Sequence, residues 1–216
     1  MKIAVINDLH IPYLDIKVTE NAIRTIKDEK CEKLIIAGDL MDCEAISKFS
    51  KPLKIRDFSK EVEQTKLWIK TFTKLNLPIE FIIGNHCQRL ERFINDKVPE
   101  FSGLPELDIK NLIELPKSWH VIPYNKHIII NGVIVKHGTK YGQNVVQQNL
   151  NFGTSTIVGH SHRLTQAHRR LYDGKIISAT ENGCLCQLDL DYMDHNNWTH
   201  GMCIIENNGF VRLIRL

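Results

Sequence analysis

Five short segments end in side chains able to donate to a metal ion: Asn7-Asp8-Leu9-His10, Gly38-Asp39, Gly84-Asn85-His86, His137-Gly138 and Gly159-His160-Ser161-His162. Together Asp8, His10, Asp39, Asn85, His137, His160 and His162 supply nitrogen and oxygen donors and no thiolate. That mixture suits two divalent ions about 3.5 to 4 Å apart, because a carboxylate between them screens their mutual repulsion. Neutral imidazole and amide donors can complete each shell without making the site too negative for a phosphate. In an extended segment alternate side chains share a face, so Asp8 with His10, and His160 with His162, are expected to point together. An isolated histidine after a strand is ordinarily a packing residue, but His10, His86, His137, His160 and His162 all stand in such endings. His120, His127, His168, His195 and His200 have no motif around them and read as surface or packing residues.

Each polar ending follows a short apolar run: "KIAVI", "KLIIA", "IEFII", "GVIVK" and "STIV". Runs without polar alternation suit strands buried on both faces, and in such sheets ligands lie beyond the carboxyl ends. Val18, Ala22, Ile23 and Ile26 recur at helical spacing, as do Val62, Trp68, Ile69 and Phe72 within 59–75, where a Ser with Glu close behind reads as the start. The opening is therefore β-α-β-α-β. Residues 87–123 break the pattern: a helix up to Pro99, further prolines and a weaker helix near 107–115 suggest a cap or substrate-binding excursion. From Asn125 onward strands return, with a hairpin tip at Asn131-Gly132 and a last turn at Asn208-Gly209.

The length of 216 residues suits a single domain over 1–216, and 28 Lys+Arg against 25 Asp+Glu give a net charge of +3, too mild to argue for nucleic acid or membrane. No apolar run is long enough to span a bilayer, and the opening "MKIAVINDLH" carries no secretory pattern, so a soluble, cytoplasmic protein is expected. The six cysteines form no CxxC pair; Cys184 and Cys186 read as same-face positions of a strand, and all six as free thiols. The stretch 163–175 is basic and reads as solvated charge near a turn, with a path beside a phosphodiester backbone as the alternative. Tyr192 and Trp198 either stack on a base or cover a sheet edge, and Asp15 and Asp57 carry no pattern.

In chain order, Asp-x-His, Gly-Asp-x-x-Asp, Gly-Asn-His, a lone His-Gly and Gly-His-x-His resemble the calcineurin-like metallophosphoesterase family over residues 8–162, and the tail resembles phage-encoded or bacterial members. The resemblance implies an α/β fold, a metallophosphoesterase-like β-sandwich of mixed sheets flanked by helices. It implies that Asp8, His10 and His162 hold one divalent ion, that Asn85, His137 and His160 hold a second, and that Asp39 bridges them. Mn²⁺ is the first choice, with Zn²⁺, Fe, Ni²⁺ and Co²⁺ suited to the same donors. A hydroxide shared by the ions would attack a phosphoester while His86, oriented by Asp42, protonates the leaving oxygen. The pattern departs from the family at Cys43, where many phosphoprotein phosphatases carry a phosphate-gripping Arg, and at Cys87, where Asp or Glu is common. Arg89 is the candidate substitute for substrate binding. The departures favour a phosphodiester over a phosphoprotein; a nuclease and a non-catalytic scaffold on the same fold are the alternatives. The implied partner is a phosphoester substrate, with nucleotides and nucleic acid among the candidates, no membrane, and an oligomeric state that the sequence leaves open.

Overall fold

A computed structural model describes residues 1–48, 57–142, 144–189 and 196–216; Tyr192 and His195 lie outside the described residues. The apolar runs become strands β1 (Ile3–Ile6), β2 (Lys33–Ile36) and β3 (Ile79–Ile82), linked by helices α1 (Ile16–Asp28) and α2 (Phe58–Thr73). Next come α3 (Arg89–Lys97), α4 (Ile109–Leu112) and the short strand β4 (His120–Ile122). The hairpin β5 (His127–Ile130) and β6 (Val133–Lys136) turns at Asn131-Gly132, both with positive φ. Then follow α5 (Val145–Leu150), β7 (Ser155–Val158), β8 (Leu164–Arg170), β9 (Ile176–Asn182), β10 (Gly201–Ile205) and β11 (Val211–Arg215).

These strands form two mixed sheets: a six-stranded one in the order β11-β10-β1-β2-β3-β4 and a five-stranded one in the order β5-β6-β7-β9-β8. In the first, β1 through β4 run parallel, and β10 closes antiparallel on β1. The sheets meet face to face through Ile3, Val5, Ile35, Ile82, Val133, Val135 and Ile157. The alternate residues Ala4, Ile6, Leu34, Ile36 and Phe81 face the helices, packing with Ala22, Ile26, Val62, Ile69 and Phe72. Burial on both faces accounts for the unbroken apolar runs of β1 and β2.

Several readings need correction. The Asp residues with no apparent pattern are helix caps: Asp15 accepts the Val18 N–H at 3.0 Å and Asp57 accepts the Lys60 N–H at 3.2 Å, so α2 starts at Phe58 rather than after Ser59. The strand β6 is buried on alternate residues only, because its outer face, carrying Ile134 and Lys136, is partly open. The basic stretch after His162 is solvated charge near a turn, as expected, but most of it is a strand: β8, an edge strand whose exposed His168, Arg169 and Arg170 run into the turn at 172–174. Its first arginine, Arg163, is paired with buried Glu181 at 2.7 Å. Charge on an edge strand discourages further strand pairing. Residues 87–123 hold α3, two 3₁₀ turns and α4, then rejoin the first sheet as β4. No described helix is long and apolar enough to cross a membrane, and all six cysteines are buried and unpaired.

Candidate metal centre

The polar endings lie just past the carboxyl ends of strands in both sheets, and the backbone there bends sharply. Asp8 (φ 51), His10 (φ 47), Asp39 (φ 42), His160 (φ 68) and His162 (φ 57) all occupy the left-handed region. Non-glycine residues seldom adopt it, and when they do the strain concentrates at functional positions. This overturns the extended same-face argument for Asp8 with His10 and His160 with His162. β1 ends at Ile6 and β7 at Val158, and these side chains are aimed by left-handed turns instead. The two histidines of the last motif accordingly part: His162 groups with Asp8 and His10, and His160 with Asp39 and His137.

Close approach explains two of the motif glycines. A Cβ on Gly84 would lie 2.1 Å from Asp39 Oδ1 and 2.3 Å from the Asp39 backbone nitrogen. A Cβ on Gly38 would lie 2.1 Å from His137 Nδ1. Only a residue without a side chain lets these strand ends converge.

Ring orientation is fixed from behind. His10 donates Nδ1–H to Asp42 Oδ2 at 2.9 Å and His137 donates Nδ1–H to the Ala37 carbonyl at 3.0 Å, leaving each Nε2 aimed inward. His10 Nε2 then meets His162 Nε2 at 3.0 Å. Two lone pairs at that distance repel, so a proton or a metal ion belongs between them. His137 Nε2 lies 2.8 Å from Asn85 Oδ1 and 3.2 Å from Asp39 Oδ2. Asp8 is fully buried; its Oδ2 accepts from Asn7 at 2.5 Å and from the His160 N–H at 2.7 Å. Its Oδ1 accepts no hydrogen bond from the described residues, yet lies 3.7 to 3.9 Å from nitrogens of His137, His162 and His10. A buried carboxylate oxygen without a donor is costly unless a cation faces it. The seven donors therefore fit divalent ions, and their hard and borderline character suits Mn²⁺ as well as Zn²⁺ or Fe.

The electrostatics run the same way. Burial pushes the Asp8 carboxyl up. Burial also opposes ionisation of Asp39, but His137, His86 and His10 outweigh it and hold that carboxyl well below its usual range. Against the cost of burial, Asp39 and Asp8 raise His137 to about 9, and Asp42 raises His10. Burial and the neighbouring imidazoles lower His160 to about 4 and hold His162 well below its usual range. Metal binding to these imidazoles must displace any proton they carry.

His86 and Arg89 flank this cluster. The His86 backbone N–H donates to Asp39 Oδ1 at 2.8 Å; its Nδ1 lies 3.1 Å from the Asp42 carbonyl and 3.3 Å from Asp42 Oδ1. Arg89 binds Asp42 Oδ1 at 3.0 Å and sets Nη2 3.0 Å from His86 Nε2. Asp42 thus serves His10, His86 and Arg89 together rather than His86 alone, and the two imidazoles outweigh burial to hold it ionised. Arg89 is both salt-bridged and at the site. Cys43 is wholly buried in a left-handed turn and offers the site no charge.

Sequence reasoning missed three supporting groups. Asn182 donates to Asn7 Oδ1 at 2.5 Å and to the Val5 carbonyl at 3.0 Å, and Asn7 in turn holds Asp8, so a buried amide relay runs from β9 to the first carboxylate. The sulfur of Cys186 lies 3.8 Å from His162 Nδ1, and the Trp198 ring stands edge-on to the same imidazole at 4.1 Å. Cys186 therefore backs a candidate ligand, and its thiol is held protonated by the Cys184 hydrogen bond and by burial. The strand exit Gly183-Cys184-Leu185-Cys186 was the available signal.

A family model described as calcineurin-like phosphoesterase matches residues 1–197. The Gene 54 proteins of Mycobacterium phages L5 and D29 are each 27% identical to the chain over 237 residues, covering 96% of it and 89% of their own length. Among solved structures, the hypothetical protein PH1004 from Pyrococcus horikoshii OT3 matches with a TM-score of 0.56 at 13% identity, covering 100% of this chain and 87% of that one. At that identity the likeness is one of fold.

Proposed function

The chain belongs to the calcineurin-like phosphoesterase family, whose activity is metal-dependent phosphoester hydrolysis; from that premise we propose that it cleaves a phosphodiester at a dinuclear centre. Asp8, His10 and His162 would hold one ion, Asn85, His137 and His160 the other, and Asp39 would serve both; Mn²⁺ is the first candidate. The observation that carries the reading is the buried Asp8 Oδ1, left without a donor among imidazole nitrogens. When bound, two such ions lower the pKa of water and neutralise phosphoryl oxygens.

The chain's own groups do the rest. Asp42 and the Ala37 carbonyl hold the Nδ1 protons of His10 and His137, which keeps both Nε2 lone pairs inward. His86 lies beside Asp39 at the edge of the cluster, where it can pass a proton to a leaving oxygen. For that, Arg89 must give up its contact with His86 Nε2; a phosphoryl oxygen is the better acceptor for a guanidinium. One exchange would thus anchor the substrate and free the Nε2 lone pair, which would take up a proton from water before passing it to the leaving oxygen. The diester preference rests on charge: Cys43 provides no cation, and Arg89 keeps Nη1 on Asp42, so only its other terminal nitrogen is left to meet a phosphoryl oxygen. All the donor types are in place, which argues against a scaffold that has lost its metals.

The test is a hydrolysis panel on chelator-stripped protein before and after Mn²⁺ return. Bis-p-nitrophenyl phosphate should be turned over only with metal, and faster than p-nitrophenyl phosphate, a cyclic nucleotide or a phosphopeptide. Faster turnover of the monoester or phosphopeptide overturns the diester reading.

A further inference from the structure

A cavity of about 440 Å³ opens beside the histidine cluster, between the exit of β6 and α5, and shares His137 with the metal centre. Lys126, Lys136 and Lys140 line it, and no carboxylate does. None of the three lysines has an ion-pair partner among the described residues, whereas Lys33, Lys48 and Lys66 each meet a carboxylate. Lys136 is half-buried and holds its ammonium 4.2 Å from the Phe152 ring centroid, and Tyr141, 84% exposed, has its ring 6.2 Å from that of His160. Three like charges around one concavity repel each other, and an anion placed among them relieves that repulsion. The volume is that of a small-ligand site, large enough for one nucleotide unit.

We propose that this cavity binds a second phosphate of the substrate, next to the ester cleaved at the histidine cluster, so that the preferred substrate is a nucleotide chain or bisphosphate rather than an isolated ester. The assignment rests on the phosphodiesterase reading for the identity of the cleaved group. The cavity's affinity for phosphate does not depend on turnover.

Calorimetry on the Mn²⁺-loaded protein compares thymidine 3′,5′-bisphosphate with thymidine 5′-monophosphate, in wild type and in Lys126→Gln/Lys140→Gln. Both lysines are exposed, and unchanged melting checks that the variant folds. The bisphosphate should bind at least about tenfold tighter to wild type, with an advantage that shrinks in salt and disappears in the variant. Equal binding of the two nucleotides, or an advantage that survives in the variant, overturns the proposal. The p-nitrophenyl 5′-esters of the same two nucleotides then measure kcat/KM with Mn²⁺, and the 3′-phosphorylated one should be preferred. Failure to hydrolyse either ester counts against the catalytic reading, while the calorimetry still decides the cavity.

Discussion

Asp39→Asn keeps the shape of the side chain and removes one negative charge from the middle of the cluster. Asp39 Oδ2 lies 3.2 Å from His137 Nε2, 3.8 Å from His10 Nε2 and 4.0 Å from His86 Nε2, while Oδ1 accepts the His86 N–H at 2.8 Å. An asparagine can satisfy only one side. If its oxygen keeps the His86 N–H, its NH₂ faces the imidazoles and repels a cation; if it turns round, the His86 amide loses its acceptor. At about 4 Å and an effective dielectric of about 20, a carboxylate charge attracts a divalent ion by about 8 kcal/mol before desolvation is counted. With most of that offset by desolvation, a loss of about 3 kcal/mol should survive, or roughly 100-fold in affinity. Titration calorimetry of Mn²⁺ into stripped protein should show two sites in wild type and at most one weakened site in the variant. Metal-dependent stabilisation in thermal melts should shrink in parallel. Two Mn²⁺ ions held by Asp39→Asn with wild-type affinity would refute the assignment of Asp39 as the shared ligand.

His86→Gln should keep both ions by calorimetry and slow turnover of an unactivated diester by about 10²- to 10⁴-fold, and much less for a p-nitrophenyl ester whose leaving group needs no proton; an unchanged rate on the unactivated ester removes His86 from the chemistry. Gly84→Ala drives a Cβ against the Asp39 backbone nitrogen at 2.3 Å, a contact no rotamer relieves. It should cost about 1 to 3 kcal/mol in urea unfolding and weaken Mn²⁺ binding; wild-type values for both would show that the approach is less tight than described. Burial raises Glu61 to about 7, although it accepts the Glu44 and Ala45 N–H groups. A raised carboxyl pKa means that the folded state holds a proton the unfolded chain has already lost. Stability should therefore fall as pH rises from about 4.5 to about 7, by about 1 to 2 kcal/mol once partial screening is allowed. Glu61→Gln should flatten that slope, and an unchanged slope in denaturant melts at pH 5 and pH 7.5 would place the proton elsewhere.

The legible parts of the molecule were those written in adjacent residues. β1, β2, β3, β6 and β7 were visible because each is a short, mostly apolar run rich in Ile or Val, and the candidate donors because they stand directly after those runs. The hairpin at Asn131-Gly132 was visible because that dipeptide tolerates positive φ. β8 was hidden: as an edge strand it carries His168, Arg169 and Arg170, and charge conceals alternation. The caps Asp15 and Asp57 were legible in principle, since an aspartate just ahead of a helical pattern is a start signal.

Other features have no local signature at all. The left-handed turns at Asp8, His10, His160 and His162 are imposed by strand ends that meet from two sheets, and a propensity argument favours extended chain there. His10 meets His162 across 152 positions, and Asn182 reaches Asn7 across 175. Asp42 is divided among His10, His86 and Arg89 because α3 begins beside the Gly38-Asp39 loop. The sequence by itself determined which residues could serve as ligands and that they follow buried strands, because residue type and hydrophobic period are properties of neighbouring positions. The tertiary structure alone decided how closely the donors approach one another, which nitrogen His10 and His137 turn inward, and that a lysine-lined cavity opens beside them, because those depend on the packing of two sheets whose strands are distant in the chain.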